Sequence, residues 1–143
     1  MDNNLRLLGI AKKGGMLEIG EEPVRNAARA GRAKLIISAC DAADGSKRHA
    51  AEYAKSAGIT HCNTPYTKFD FSSVCGKGLP GMIAVMNTGI AAKFVSSLAA
   101  DSPQEYGETA ELLALKAQKE LQRRRETQAH SQNIRTGKRR NTK

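Results

Sequence analysis

The chain has 143 residues, of which 40% are hydrophobic, 4% are aromatic and none is Trp. That suffices for one domain with an appendage, its core packed by Ala, Ile, Leu and Val. A formal charge of +9 at pH 7 favours polyanionic partners, nucleic acid above all, and the apolar runs are too short to span a bilayer.

The opening MDNNLRLLGIAKK has an early acid and too short an apolar run for a signal peptide, so a cytoplasmic location is expected. Cys40, Cys62 and Cys75 form no CxxC pair and each sits in an apolar stretch, which predicts buried thiols and argues against a disulfide framework or a zinc site. His49, His61 and His130 have no metal-ligand spacing. Neither a metal nor a cofactor is expected.

Residues 4–13 suit a helix with Leu5, Leu8 and Ala11 on one face and Lys12 and Lys13 at its end, stopped by Gly14 and Gly15. Residues 16–19 form a short strand, and Gly20 turns the chain into GEEPVRNAARAGRAK. Within that stretch Val24, Ala27 and Ala28 repeat at helical spacing, and Gly31 is the natural C-terminal cap. Glu21 and Glu22 lie at the positive end of this helix, while Arg25, Arg29 and Arg32 at i, i+4 and i+7 share one side. The run AKLIISAC reads as a strand buried on both faces.

The alternation then repeats. Asp41 and Asp44 follow the buried strand, where α/β enzymes often place chemistry, but Asp44 or Ser46 equally serves as a helix cap. Neither GxxxxGK(S/T) nor GxGxxG occurs. Residues 46–57 read as a helix ended by Gly58, residues 59–62 as a strand, and Thr67 with Asp70 as a capping box for a short helix through Cys75. GKGLPG (76–81) is either a loop that approaches a ligand closely or plain turn chemistry. MIAVM is a further strand and residues 88–99 a last core helix. The predicted fold class is α/β, a three-layer α-β-α sandwich around a small mixed sheet.

Residues 1–100 thus form the domain. Ser102 and Pro103 start a helical extension to about Arg125, with Leu112, Leu115 and Leu121 offering a narrow apolar stripe. Residues 126–143 lack the apolar content for a core and read as a basic tail, disordered when free. Both parts are basic: residues 1–100 hold 13 Lys/Arg against 8 Asp/Glu, and residues 101–143 hold 10 against 6.

The run LLGIAKKGGMLEIGEEPVRNAARAGRAKLIISACDA, followed by AAEYAKSAGI and FSSVCGKGLPGMIAVMNTGIAAKF, resembles the L-seven-A-e and L-thirty-e ribosomal protein family over roughly residues 4–99, its bacterial branch most of all. The resemblance implies an α-β-α sandwich that inserts a helix N-terminus into a kink-turn of RNA. In that family the helix opens Gly-x-Asn-Glu-x-x-Lys. Aligned on Gly20, the Asn place falls on Glu22, the Glu place on Pro23 and the Lys place on Asn26, so the glycine alone matches. The resemblance also implies a second contact from the loop at 77–81, where Leu79 would pack on an unstacked base. Glu21, Glu22 and Asn26 then meet base edges, Arg25 and Arg29 meet flanking phosphates, and Lys12, Lys13 and Lys34 are further phosphate contacts.

Three functions are therefore weighed. The leading one is a non-enzymatic, monomeric protein that binds structured RNA, with ribosomal RNA the expected partner. The second is a ribosome-associated module that docks a ribosomal protein through the C-terminal helix, kink-turn recognition having been lost. An enzyme using Asp41 is the third, and no residue pattern names its reaction.

Overall fold

The computed structural model describes residues 2–76 and 78–136. Six helices and four strands alternate: α1 (Asn3–Lys13), β1 (Leu17–Ile19), α2 (Glu21–Arg29), β2 (Leu35–Ser38), α3 (Asp44–Ala57), β3 (Thr60–Asn63), α4 (Lys68–Cys75), β4 (Met82–Val85), α5 (Thr88–Asp101) and α6 (Pro103–Thr136). The expected α-β-α sandwich is present. Its sheet has the order β1-β4-β2-β3, mixed in direction. Strand β4 runs antiparallel to both neighbours, pairing Ile19 with Ile83 on one side and Ile37 with Ile83 on the other, while β2 and β3 are parallel.

Side-chain alternation sends the two faces of the sheet to different cores. Leu35, Ile37, Ile83 and Val85 face a core of large side chains that includes Leu8, Phe71 and Phe94, under α1, α4, α5 and α6. Ile36, Met82 and Ala84 face a core of small ones, Val24, Ala27, Ala28, Ala50 and Ala54, under α2 and α3. Every residue of β2 and β4 is buried, as a strand covered on both faces must be.

Element ends follow the sequence closely. Gly58 and Gly76 adopt left-handed conformations at the C-termini of α3 and α4. The Thr67–Asp70 capping box forms in full. Helix α3 begins at Asp44 with Ala43 as its N-cap, so neither Asp44 nor Ser46 caps it. Asp44 instead lies in the first turn, where its charge complements the helix dipole. Of the three thiols Cys62 and Cys75 are buried but Cys40 is exposed, because it lies beyond the last residue of β2. Burial pushes the Cys62 thiol up to about 11, helped by Glu105, and raises that of Cys75.

Helix α6 departs most from expectation. It turns back at Ser102 and runs antiparallel along α5, as shown by the Thr88 hydroxyl donating to Glu120 at 2.8 Å and Tyr106 donating to the Asn63 carbonyl at 2.6 Å. Its packed face carries Tyr106 and Leu113, both in the large core, with Ala110 against them. Leu112, Leu115 and Leu121 are exposed. At about 100° per residue the first two point away from the Tyr106–Ala110–Leu113 line, and Leu121 shares that line but lies past the start of α5. The helix also continues through residues 126–136, expected to be disordered. An established helix propagates into such a segment without a new nucleation cost. Residues 137–143 of the expected tail lie outside the described residues. Among the described residues no helix is long and apolar enough to cross a membrane.

Two predictions concern this framework. Leu113 is 1% exposed, so Leu113→Ala should cost about 2–5 kcal/mol, read by urea denaturation. His61 is half-buried, its Nε2 lies 2.7 Å from the buried Ser38 hydroxyl, and desolvation lowers its pKa below the ordinary 6.5. A lowered histidine stabilises the fold while neutral; that contribution is full above pH 6.5 and is lost as pH falls through the depressed value. Thermal stability should therefore drop below pH 6.5, and His61→Gln should flatten that limb of the Tm–pH curve.

Candidate nucleic-acid interface

The C-terminal ends of β1, β2 and β3 and the N-terminal end of β4 lie at one edge of the sheet. Four connections converge there. Gly20 joins β1 to α2, and its N–H donates to the Met82 carbonyl at 3.1 Å. The β2–α3 turn is held by Ala39 N–H on Gly81 O at 2.9 Å and Cys40 N–H on Tyr66 O at 2.8 Å. The carboxylate of Asp41 accepts from the Lys68 N–H at 2.8 Å and so pins the first turn of α4. This edge is the mouth end below; the opposite one is the far end.

Gly20 has φ 95° and ψ 165°, a region essentially reserved for glycine. That conformation turns the chain within one residue from the end of β1 to the start of α2. No side chain caps α2, so the N–H groups of Glu21 and Glu22 face outward, and Pro23 in the same turn has none. Glu22 is exposed at this opening. Glu21 is not free: its Oε2 accepts from Tyr53 Oη at 2.9 Å and lies 2.9 Å from His49 Nδ1, both on α3. The Tyr53 bond holds the Glu21 carboxyl below its ordinary range, with His49 and Arg25 assisting against the opposing effect of desolvation. Glu21 thus ties α2 to α3.

Across the mouth end from Gly20 lies the loop that leads into β4. A Cβ on Gly81 would stand 3.2 Å from the Cβ of Ala42, so the loop packs tightly on the β2–α3 turn. Leu79, two residues earlier, is 60% exposed. Sequence reasoning missed a second apolar group here: Phe69, in the first turn of α4, is 73% exposed, the highest value among the large hydrophobic side chains of the described residues. Its signal was available, because an aromatic directly after the N1 position of a capped helix points away from the helix's packed side.

The ten residues singled out in the sequence do not form one site. Gly20, Glu21, Glu22 and Leu79 gather at the mouth end. Arg25 and Arg29 line a groove of about 350 Å3 between α2 and α3, with Glu52, Tyr53 and Ser56. Arg25 Nε is buried there without a hydrogen-bond partner among the described residues. Asn26 is exposed on the next side of α2. Arg32 leaves the line of Arg25 and Arg29 because α2 ends at Arg29 and Gly31 takes φ 73°; it meets Glu18 of β1 at 3.6 Å instead. Lys12, Lys13 and Lys34 sit at the far end. The first two close α1 just before β1, and Lys34 N–H donates to the last residue of β4, Val85, at 2.8 Å.

Comparison with known proteins fits this architecture. No family model matches the chain, nor does any curated protein. Solved structures share its fold, and two of them show the range of likeness. A protein of unknown function from Bacillus halodurans C is 27% identical, with a TM-score of 0.59 over 65% of this chain and 93% of that one. The 15.5kD RNA binding protein of Giardia lamblia is 16% identical, with a TM-score of 0.55 over 67% of this chain and 84% of that one. Both likenesses are of fold. Among the described residues, no group of three or more His, Cys, Asp or Glu side chains could hold a metal ion.

The Gly20 turn generates a prediction. A side chain there must adopt a strained backbone, so Gly20→Ala should cost about 1–3 kcal/mol in stability, measured by denaturant titration. The cost at Gly45, inside α3 with negative φ, should be absent or reversed.

Proposed function

We propose that the chain is a non-enzymatic RNA-binding protein that takes structured RNA at its mouth end. The observation that carries this reading is the grouping of an open helix N-terminus with two exposed apolar side chains, Leu79 and Phe69, on turns that are otherwise rigidly hydrogen-bonded. Sequence-specific RNA binders favour unstacked bases, which need apolar or aromatic surfaces to lie on and polar groups at their edges. The fold shared with the Giardia RNA binding protein supports the same conclusion.

The residues divide the work by chemistry. The N–H groups of Glu21 and Glu22 donate to a phosphate or a base carbonyl at the helix opening. The Glu22 carboxylate accepts from an exocyclic amino group, as a donor-only base edge requires. Leu79 and Phe69 cover exposed base faces, and Arg25 and Arg29 answer flanking phosphates along the α2–α3 groove. Glu21 keeps α2 in place for all of them.

The finer reading is a sharply kinked RNA such as ribosomal RNA presents, because a helix end reads a widened groove and not a regular duplex. It is tested with the whole chain, a kink-turn RNA and a straight duplex of equal length across a salt series. We expect at least tenfold preference for the kink-turn, about 1.4 kcal/mol, and loss of that preference in Leu79→Ala. Equal binding that depends only on salt would remove shape recognition from the account.

A second reading, docking of a ribosomal protein, draws on Leu112 and Leu115, exposed on the outer side of α6. Under that reading a partner survives nuclease treatment and is lost in Leu115→Asp.

A further inference from the structure

We propose that α6 beyond Glu120 is a second RNA-binding surface, placed so that one chain holds two RNA segments at once. This inference rests on the RNA-binding reading and adds to it a bridging activity.

Helix α6 is divided in charge. Its docked half, residues 103–115, carries Glu105, Glu108 and Glu111 with no Lys or Arg. Residues 116–136 carry Lys116, Lys119, Arg123, Arg124, Arg125 and Arg135 against Glu120 and Glu126. The contact of Glu120 with Thr88, the first residue of α5, marks where the supporting layer ends. From Leu121 to Ser131 every residue is exposed. Residues 121–136 therefore form an arm of about 24 Å that projects from the far end.

From Gln122 to Ser131 the arm carries no large apolar side chain to place on a protein. Arg123, Arg124 and Arg125 stand about 100° apart around the axis, which makes a positive collar, and Lys116, Lys119 and Arg123 at i, i+3 and i+7 continue it as a stripe toward the body. At the root of the arm Arg124 shares a hollow of about 190 Å3 with Asn87 and Gly89, the N-terminal end of α5, and with Glu120, whose carboxylate is engaged by the Thr88 hydroxyl. Lys34 and Lys116 line one crevice beside it, with Lys12 and Lys13 exposed on the same end of the body. Three consecutive arginines against the single Glu126, with no large apolar side chain from Gln122 to Ser131, fit the phosphate backbone of RNA better than a protein groove.

The two surfaces are far apart. Helix α5 spans the body from far end to mouth end in 14 residues, about 21 Å, and the arm starts beyond that. Along the α5–α6 side, Asp101, Glu105, Glu108 and Glu111 form an acidic stretch between them. A compact RNA seated on Leu79 and Phe69 thus leaves the arm free for another segment.

The test uses the full chain and one short RNA hairpin containing a kink-turn, labelled in separate batches with a donor and an acceptor dye. Native mass spectrometry should show one protein with two hairpins, and energy transfer should rise and then fall as protein is added in excess. The triple variant Arg123→Glu, Arg124→Glu, Arg125→Glu, which changes only exposed side chains, should hold one hairpin with transfer reduced at least tenfold. Leu79→Ala should weaken the other site and leave the arm's strongly salt-dependent binding in place. One hairpin per chain in the unaltered protein, or transfer seen only in complexes with two proteins, would overturn the proposal. Absence of any bound hairpin would overturn the RNA-binding reading itself.

Discussion

Strand β4 runs against both of its neighbours, and the rest of the architecture follows from that single reversal. Its N-terminal end lies beside the C-terminal ends of β1 and β2, where Gly20 N–H reaches Met82 O. The connection ahead of it, with Leu79, is thereby delivered next to the opening of α2. Its C-terminal end leaves the sheet at the opposite edge, where Lys34 N–H meets Val85 O. Helix α5 must then return toward the mouth end and α6 must run away from it. A parallel strand in the same slot would put Leu79 and the α2 opening at opposite edges and would aim α6 the other way.

The two cores divide labour in a manner set by residue size. Ala27, Ala28, Ala50 and Ala54 let α2 and α3 approach closely, so their outer side chains meet across a shallow groove and Glu21 can reach both Tyr53 and His49. The price of such small side chains is little buried area per residue, about 25 cal/mol per Å2 being the return on apolar burial. The opposite face compensates with Phe71, Phe94, Leu8 and Leu113. The mouth of α2 therefore rests on polar ties and on a glycine conformation, whereas α5 and α6 rest on bulk.

Local chemistry is what the sequence made legible. Glycine stops, the Thr67–Asp70 box and the buried runs LIIS and MIAV located every strand and the first five helices to within a few residues. Site membership was not local. Lys12 and Lys34 precede β1 and β2, which run in the same direction, whereas Glu22 follows the C-terminal end of β1, so the length of a strand separates them. Arg32 looked like a helix neighbour of Arg29 because spacing ignores the turn at Gly31. The three leucines of α6 drew attention by residue type, while the packed line was Tyr106, Ala110 and Leu113, two of them weak signals. Phe69 lies two residues from the buried Phe71 and so on the opposite side of α4, a signal carried by helix spacing and not by residue type.

The arm of α6 raises the question of what keeps a helix formed where nothing covers it. Its charge order supplies part of the answer. Glu105 lies in the first turn, where its charge complements the positive end of the macrodipole by roughly 0.3–1 kcal/mol. The docked half also removes the nucleation cost, since the arm need only propagate from turns already fixed by Tyr106 and Leu113. Against this, Arg123, Arg124 and Arg125 repel one another at neighbouring positions. Phosphates along the arm would turn that repulsion into attraction and would stabilise the helical state by mass action, because they bind the ordered arm better than the frayed one. Stability of the arm and affinity for RNA are then coupled, each depending on the same three guanidinium groups.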